Sequence, residues 1–300
     1  MRAFVTGSTG FVGHWLRRHL HACGDEVVAL AGEVDVRDAD TLGAALRAAE
    51  PEVVYHLAAA SHVGRSWDEP AETTAINVLG TLNVLEAARR CPRPAAVLLV
   101  SSAEVYGGGD GRPLSEDAEL RPVSPYAASK VAAEYLGLQA ALGRRLRVVR
   151  VRPFNHVGPG QSPDFVVSAL ARRIAAAELA GGGEVRVGNL TPRRDLTDVR
   201  DVVRAYRLLA ERGEAGVAYN VCGGQTVTIA AVVERLLTLA SGEIRVVEDP
   251  DLVRPVDVPV LAGDCTRLRA LTGWEPEIPL ETTLLEVLDY WRERLRTAAA

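Results

Sequence analysis

The chain has 300 residues, 48% hydrophobic and 24% charged, enough for one large α/β domain or two modest ones sharing a seam and too few for a string of modules. This balance excludes a disordered chain, and a net charge of −5 with acidic and basic residues interleaved leaves no basic stripe for nucleic acid or an anionic membrane. One count stands apart: of 34 lysines and arginines, only Lys130 is a lysine.

Short β-branched runs at 2–6, 26–30, 53–57, 95–101 and 146–152 predict buried strands, and helical periodicity predicts helices at 11–22, 39–49, 71–90 and 126–142. That alternation makes right-handed βαβ units, hence an α/β fold with a parallel sheet covered by helices on both faces. From about residue 154, Pro- and Gly-rich turns separate shorter elements, with helices expected at 164–178, 199–211, 229–240 and 280–296. The expected organisation is a large domain of residues 1–154, joined by 190–220 and about 248–262, and a smaller lobe of 155–189, 221–247 and 263–300 over its mouth.

Met1 runs straight into Ala3-Phe4-Val5, leaving no room for the ~7–15-residue apolar core of a signal peptide. No apolar run reaches the ~20 residues that span a bilayer. Cys23, Cys91, Cys222 and Cys265 lie far apart without a CxxC pair, as expected of buried, reduced thiols in a cytoplasmic protein. The six histidines lack metal-ligand spacing, so no metal is expected.

Gly7-Ser8-Thr9-Gly10-Phe11-Val12-Gly13 follows the first strand and opens the first helix. In that context the first glycine permits a tight turn, the second lets the backbone approach a pyrophosphate, and the third lets helix and strand pack closely. The helix N-terminus then offers N–H groups and a positive dipole end to phosphate. An acidic residue about 20 positions past the glycines binds adenosine ribose hydroxyls. Glu33 stands there, with Asp35-Val36 just beyond, and no arginine adjoins Glu33 to receive a 2′-phosphate; the nearest is Arg37. The expected cofactor is NAD(H) or NADP(H), with NAD(H) favoured.

Tyr126-Ala127-Ala128-Ser129-Lys130 begins a helix just after Pro125, a favoured first-turn residue. The i, i+4 spacing sets phenol and ammonium one turn apart on one face. A nearby cation lowers a tyrosine's pKa by favouring phenolate, and arginine's planar fork cannot replace lysine's compact ammonium in that slot. Upstream, Val97-Leu98-Leu99-Val100 ends in Ser101-Ser102 at a strand's C-terminal edge, where open α/β sheets bind ligands. Ser102 is the expected partner of the substrate oxygen, and Ser101 a structural or cofactor-facing hydroxyl.

Gly7–Gly13, Ser102 and Tyr126/Lys130 together resemble the extended short-chain dehydrogenase/reductase family. So do His56-Leu57-Ala58-Ala59-Ala60, Asn77-Val78-Leu79-Gly80-Thr81 and Arg152-Pro153-Phe154-Asn155, so that the resemblance covers nearly the whole chain. It implies a Rossmann-like doubly wound sheet that binds NAD(P), a smaller C-terminal domain for a nucleotide-diphosphate sugar, and a homodimer. It places Thr9, Phe11, Val12, Asp35, Val36, Leu57, Ala58, Ala59, Asn77, Ser101, Pro153 and His156 beside the cofactor, with Asn77 also supporting the active-site helix.

Several stretches are similar to the GDP-mannose branch. Ser61-His62-Val63-Gly64-Arg65-Ser66 resembles a sugar-contacting loop, from which Ser61, His62 and Ser66 are expected to meet the sugar. Asn155, Phe165, Val187, Asn189 and Arg194 resemble base, ribose and diphosphate contacts, and Arg254 a second diphosphate arginine. Pro153 to Gln161 is most similar to the reductases of GDP-4-dehydro-6-deoxy-D-mannose. By that resemblance the expected reaction is reduction of the sugar's C4 ketone, with Tyr126 as proton donor. Glu104 keeps 4,6-dehydration open, since it stands where dehydratases carry a glutamate base; otherwise it holds a substrate hydroxyl. Ala103, where similar dehydratases carry Asp or Ser, offers no proton and favours reduction. The same motifs would also suit a 4-epimerase with retained NAD or a non-catalytic dinucleotide sensor.

Overall fold

The computed structural model describes residues 1–28, 34–109, 111–252 and 258–299. The expected parallel α/β sheet is present. β1 (Arg2–Thr6), β2 (Glu26–Val28), β3 (Val53–His56), β4 (Ala96–Val100), β5 (Val148–Pro153) and β9 (Ala218–Val221) form a six-stranded parallel sheet in the order β2-β1-β3-β4-β5-β9. Its direction reverses between β1 and β3, and a crevice opens at such a switch point beyond the strands' C-terminal ends. Thr6 and His56 are paired in register at that edge.

Two hydrophobic layers cover the sheet. One joins Leu16 and Leu20 of α1 (Phe11–Ala22) to Val202, Tyr206 and Leu209 of α8 (Val199–Arg212). The other joins Leu42 and Leu46 of α2 (Ala39–Ala49) to Val84 and Leu85 of α5 (Gly80–Arg89) and Ala140 of α6 (Pro125–Arg144). Ser124 caps α6 by accepting from the Ala127 N–H at 3.1 Å.

The helix expected over 71–90 is interrupted. After α3 (Arg65–Asp68), α4 (Pro70–Thr74) gives way to a π-helical turn, Ala75–Leu79, before α5 begins. π-Turns widen a helix locally and re-aim a side chain; this one turns Asn77 inward. Gly80 lets the helix close on the 34–38 loop, where a Cβ would stand 2.5 Å from Val36 Cγ2.

Beyond residue 154, apart from α8 and β9, most elements pack over the C-terminal edge of the sheet. β6 (Asn155–Val157), β8 (Arg193–Asp198), β10 (Thr226–Thr228) and β12 (Val260–Leu261) form a small mixed sheet around β8. β7 (Gly183–Val187) and β11 (Ile244–Glu248) pair in parallel. Val167, Leu170 and Ile174 of α7 (Val166–Leu179), Val232 and Leu236 of α9 (Ile229–Leu239) and Leu284 and Leu288 of α11 (Leu280–Ala299) make a separate core. α10 (Thr266–Thr272) lies against the first core through Leu268.

None of the short strands of this region was among the sequence expectations, nor was β9, the sixth strand of the main sheet. No helix of the described residues is long and apolar enough to cross a membrane. Cys91, Cys222 and Cys265 are buried free thiols, whereas Cys23, expected to be buried, is exposed at the end of α1.

Candidate active site

A cavity of about 980 Å³ occupies the crevice, floored by the glycine loop and the ends of β1, β3, β4 and β5 and roofed by residues 155–196. Gly7 has φ +68°, and a Cβ there would lie 2.8 Å from the Ala58 nitrogen. At Gly13 a Cβ would fall 2.2 Å from the Gly7 carbonyl oxygen, so only glycine lets α1 start this close to β1. α1 carries no side-chain cap at Gly10, and its N-terminus faces the cavity. Phe11 stacks on His156 with ring centroids 6.3 Å apart, and burial holds the His156 imidazole low in pKa, hence neutral.

The reacting corner lies where β4 meets α6. Ser102 accepts from the Glu104 N–H at 3.2 Å and shares a hydrogen bond with Tyr126. Tyr126 is 7% exposed; burial pushes its phenol up to about 12, against the Ser102 hydrogen bond and with some help from the Glu104 charge. The expected lowering by Lys130 is therefore reversed in this structure. The ammonium is buried and donates to the Val100 carbonyl at 2.6 Å, while desolvation dominates the phenol. Burial likewise pulls Lys130 down to about 8. Tyr126 is thus a protonated acid at neutral pH, poised to give a proton.

Most expected site residues line this one cavity. On the dinucleotide side are Gly7, Thr9, Gly10, Phe11, Val12, Gly13, Asp35, Val36, Leu57, Ala58, Ala59, Ser101, Pro153 and His156. On the other are Ser61, His62, Ser102, Glu104, Tyr126, Asn155, Phe165, Val187, Asn189 and Arg194, with Lys130 beneath. Glu33 and Arg254 lie outside the described residues.

Two expectations need correction. Ser66 is 1% exposed and outside the lining: its hydroxyl donates to the Val63 carbonyl at 2.6 Å and accepts the Tyr126 N–H at 3.2 Å. It therefore holds the start of α6 instead of meeting a sugar. Asn77, also 1% exposed, accepts from the Ala60 N–H at 2.8 Å and donates to Ser129 Oγ at 2.9 Å, so it braces α6 as expected but does not line the cavity where the cofactor contact was expected. Among the lining residues not assigned to the site from sequence are Gln161, Arg173, Arg37 and Tyr206. Gln161 donates to the His156 carbonyl at 2.9 Å, Arg173 to the Arg186 carbonyl at 2.7 Å, and Arg37 pairs with Asp35 and Glu72 at 2.6 Å each. Tyr206 reaches the cavity from α8, with helical periodicity marking it only as core.

The wall fits a dinucleotide: a cradle that any Cβ would fill, an uncapped helix N-terminus, and two buried polar atoms, Ser101 Oγ and Asn155 Oδ1, without a hydrogen-bond partner among the described residues. Among the described residues no cluster of three His, Cys, Asp or Glu is placed to hold a metal.

Comparison with known proteins bears on the same cavity. Residues 31–287 match the family model of GDP-mannose 4,6 dehydratase. The GDP-6-deoxy-D-mannose reductase of Pseudomonas aeruginosa is 39% identical over 98% of this chain and 98% of its own. The solved structure of RMD from P. aeruginosa complexed with NADPH superposes with a TM-score of 0.92 at 38% identity, covering 98% of this chain and 99% of that one. The UDP-glucose 4-epimerase of Thermus thermophilus, in complex with NAD, gives 0.86 at 29% identity, with 97% and 99% covered.

Proposed function

The chain belongs to the GDP-mannose 4,6-dehydratase family of extended short-chain dehydrogenase/reductases, and from that membership we propose that it reduces the C4 ketone of GDP-4-dehydro-6-deoxy-D-mannose to a GDP-6-deoxyhexose of the D-rhamnose type. It is a sugar-nucleotide oxidoreductase that uses a nicotinamide dinucleotide. One observation carries the choice of reaction: the Tyr126 phenol is a protonated acid in the corner, and Ala103 stands where similar dehydratases carry an Asp or Ser that could give a second proton.

The bound cofactor supplies a hydride to C4, and the chain's residues manage the proton. Tyr126 gives its phenolic proton to the ketone oxygen as charge develops there, and the Ser102 hydroxyl holds that oxygen in line. The Lys130 ammonium, fixed on the Val100 carbonyl, offsets the phenolate that remains. Glu104, beside Ser102 on the cavity wall, bonds a hydroxyl of the sugar. Arg194 and Arg254 serve the diphosphate, since guanidinium forks pair with phosphate oxygens; Phe165, Val187 and Asn189 complete that end. Gly7, Gly10 and Gly13 receive the cofactor's pyrophosphate, and Ser101 and Asn155 supply polar contacts to the bound pair.

NADH is the favoured reductant, because Asp35 and Glu72 flank the ribose end with negative charge. We read residues 1–154, with 190–220 and about 248–262, as the cofactor domain and the remainder as the sugar-nucleotide domain. Leu79 (55% exposed) at the end of the π-turn, Leu82 (40%) of α5, and Tyr135 (57%) and Leu142 (75%) of α6 are exposed apolar side chains, which we read as part of the interface of a homodimer. A monomeric mass in sedimentation would overturn that interface. The three buried thiols support a reducing, cytoplasmic setting.

Mixing the purified protein with GDP-4-dehydro-6-deoxy-D-mannose and NADH or NADPH tests the reaction directly. Loss of the reduced-cofactor absorbance with formation of a GDP-6-deoxyhexose is expected. Cofactor left unoxidised in both mixtures would overturn the reductase reading.

A further inference from the structure

α6 carries a third ionisable residue at the spacing that joins Tyr126 to Lys130. Glu134 lies one turn beyond Lys130 and is 0% exposed. Its carboxylate is gripped from β5. Arg152 Nε donates to Oε1 at 2.9 Å and Nη2 to Oε2 at 2.8 Å, with Arg150 Nη1 at 3.4 Å from Oε2. Arg152 is fixed in turn, donating to the Tyr106 hydroxyl at 2.9 Å and the Glu116 carbonyl at 3.0 Å. Tyr106 then donates to Asn220 Oδ1 on β9 at 2.7 Å.

For stability alone this arrangement is a poor choice. Stripping water from a carboxylate and a guanidinium costs several kcal/mol per ion, and well-packed apolar side chains of the same volume do as well or better. What an apolar pair lacks is a fixed negative charge one helical turn from Lys130, in a dry region where charges act strongly on each other. We propose that Glu134, locked by Arg152 and Arg150, is a positioning residue that keeps the proton on Lys130, and with it the cation beside the Tyr126 phenol. Its mechanistic weight rests on the role given to Lys130 above, but the titration of Lys130 does not.

The groups around Lys130 leave Glu134 as the one that favours its charge. β3 brings His56, held neutral by burial; α6 itself brings Tyr126 one turn before Lys130 and Glu134 one turn after; and β5 brings Arg150 and Arg152 behind Glu134. Burial works against the ammonium, and Glu134 works for it. With Glu134 neutral, the charge of the two arginines it pairs with would no longer be offset on this side of α6.

Because Lys130 is the only lysine, protein labelled with ¹³C,¹⁵N-lysine carries one labelled side chain, whose NMR signal titrates without any assignment problem. In the ligand-free protein, Glu134→Gln is expected to move the Lys130 midpoint down by about 1 pH unit or more, and Glu134→Asp to keep most of it. The double variant Glu134→Gln/Arg152→Met, which removes both charges, is expected between Glu134→Gln and wild type. A Glu134→Gln midpoint within ~0.3 units of wild type would overturn the proposal. Should Glu134→Gln fail to fold, the double variant decides: a midpoint below wild type supports the proposal, and one at or above it overturns it. In turnover, the alkaline limb of the pH profile should shift down with the midpoint, whereas a loss equal at every pH would mark Glu134 as merely structural and also overturn it. Failure of the reductase reading would leave the ligand-free titration intact, so the two are distinguishable.

Discussion

Lys130 Nζ donates to the carbonyl of Val100 at 2.6 Å, which fastens the proton-donating helix α6 to the end of β4 two residues before Ser102. A compact ammonium on a flexible stem makes that bond from a buried position. A guanidinium, planar and wider, cannot adopt the same geometry without displacing its neighbours. Lys130→Arg preserves charge in a chain otherwise written in arginine, yet it should lower kcat about 10²-fold or more. Activity within about twofold of wild type would show that any cation serves at this position.

Tyr126→Phe removes the protonated phenol beside Ser102. kcat is expected to fall by about 10²–10⁴-fold, with little change in KM for the nucleotide sugar and none in cofactor binding by fluorescence titration. A variant with wild-type turnover would move the proton donor elsewhere, with Glu104 the next residue to test.

His56 should govern part of the acid lability. It is buried between the Thr6 hydroxyl at 2.8 Å and the Thr81 hydroxyl at 3.0 Å, and burial, aided by the Lys130 charge, lowers its pKa to about 3 from an ordinary 6.5. Above pH 6.5 it is neutral folded or unfolded. Below that the unfolded chain takes up a proton that the folded one refuses, so stability drains as pH falls from 6.5 toward about 3. Urea midpoints measured across this range should fall less steeply for His56→Gln than for wild type; parallel slopes would show that other groups carry the effect.

Ser66 and Asn77 act on the start of α6. Ser66→Ala takes the acceptor from the Tyr126 N–H, and Asn77→Ala strips partners from the Ala60 N–H and Ser129. Each is expected to cost about 1–3 kcal/mol in denaturant unfolding, with kcat reduced and KM for the nucleotide sugar nearly unchanged. A tenfold rise in KM with unaltered stability for Ser66→Ala would restore it to contact with the sugar.

Arg37, the nearest arginine to the ribose end, has its Nη2 on Asp35 and its Nη1 on Glu72, each at 2.6 Å. Two carboxylates that occupy the guanidinium also repel a 2′-phosphate. NADH is expected to bind more tightly than NADPH in fluorescence titration, and Glu72→Gln to narrow the gap by favouring NADPH. Tighter binding of NADPH by the wild-type chain would reverse this assignment.

What the sequence determined by itself was local. The glycine spacing, the i, i+4 pairing of Tyr126 with Lys130, the hydroxyls closing β4 and the βαβ alternation all follow from periods of two or 3.6 residues. Such features are complete within a dozen positions, so the glycine loop and the Ser102, Tyr126 and Lys130 corner were legible, while the rest of the expected lining came from the family resemblance. The interruption of 71–90 by a π-turn was not, because a widened turn leaves helical periodicity almost untouched while re-aiming Asn77 at a residue 52 positions away. Ser66 read as a sugar ligand because the 61–66 segment resembles a sugar-contacting loop, and only packing against α6 gave its hydroxyl to the Tyr126 backbone. Gln161 and Arg173 entered the site through a loop and a helix whose placement depends on how the second core docks over the sheet, and Tyr206 through the packing of α8 in the first core. The Glu134–Arg152 pair spans 18 residues and two elements, and its meaning comes from the register of β5 beneath α6. Tertiary structure decided these pairings because burial in a shared dry space, which no sequence interval measures, sets which charges feel each other and which hydrogen bonds are already spent.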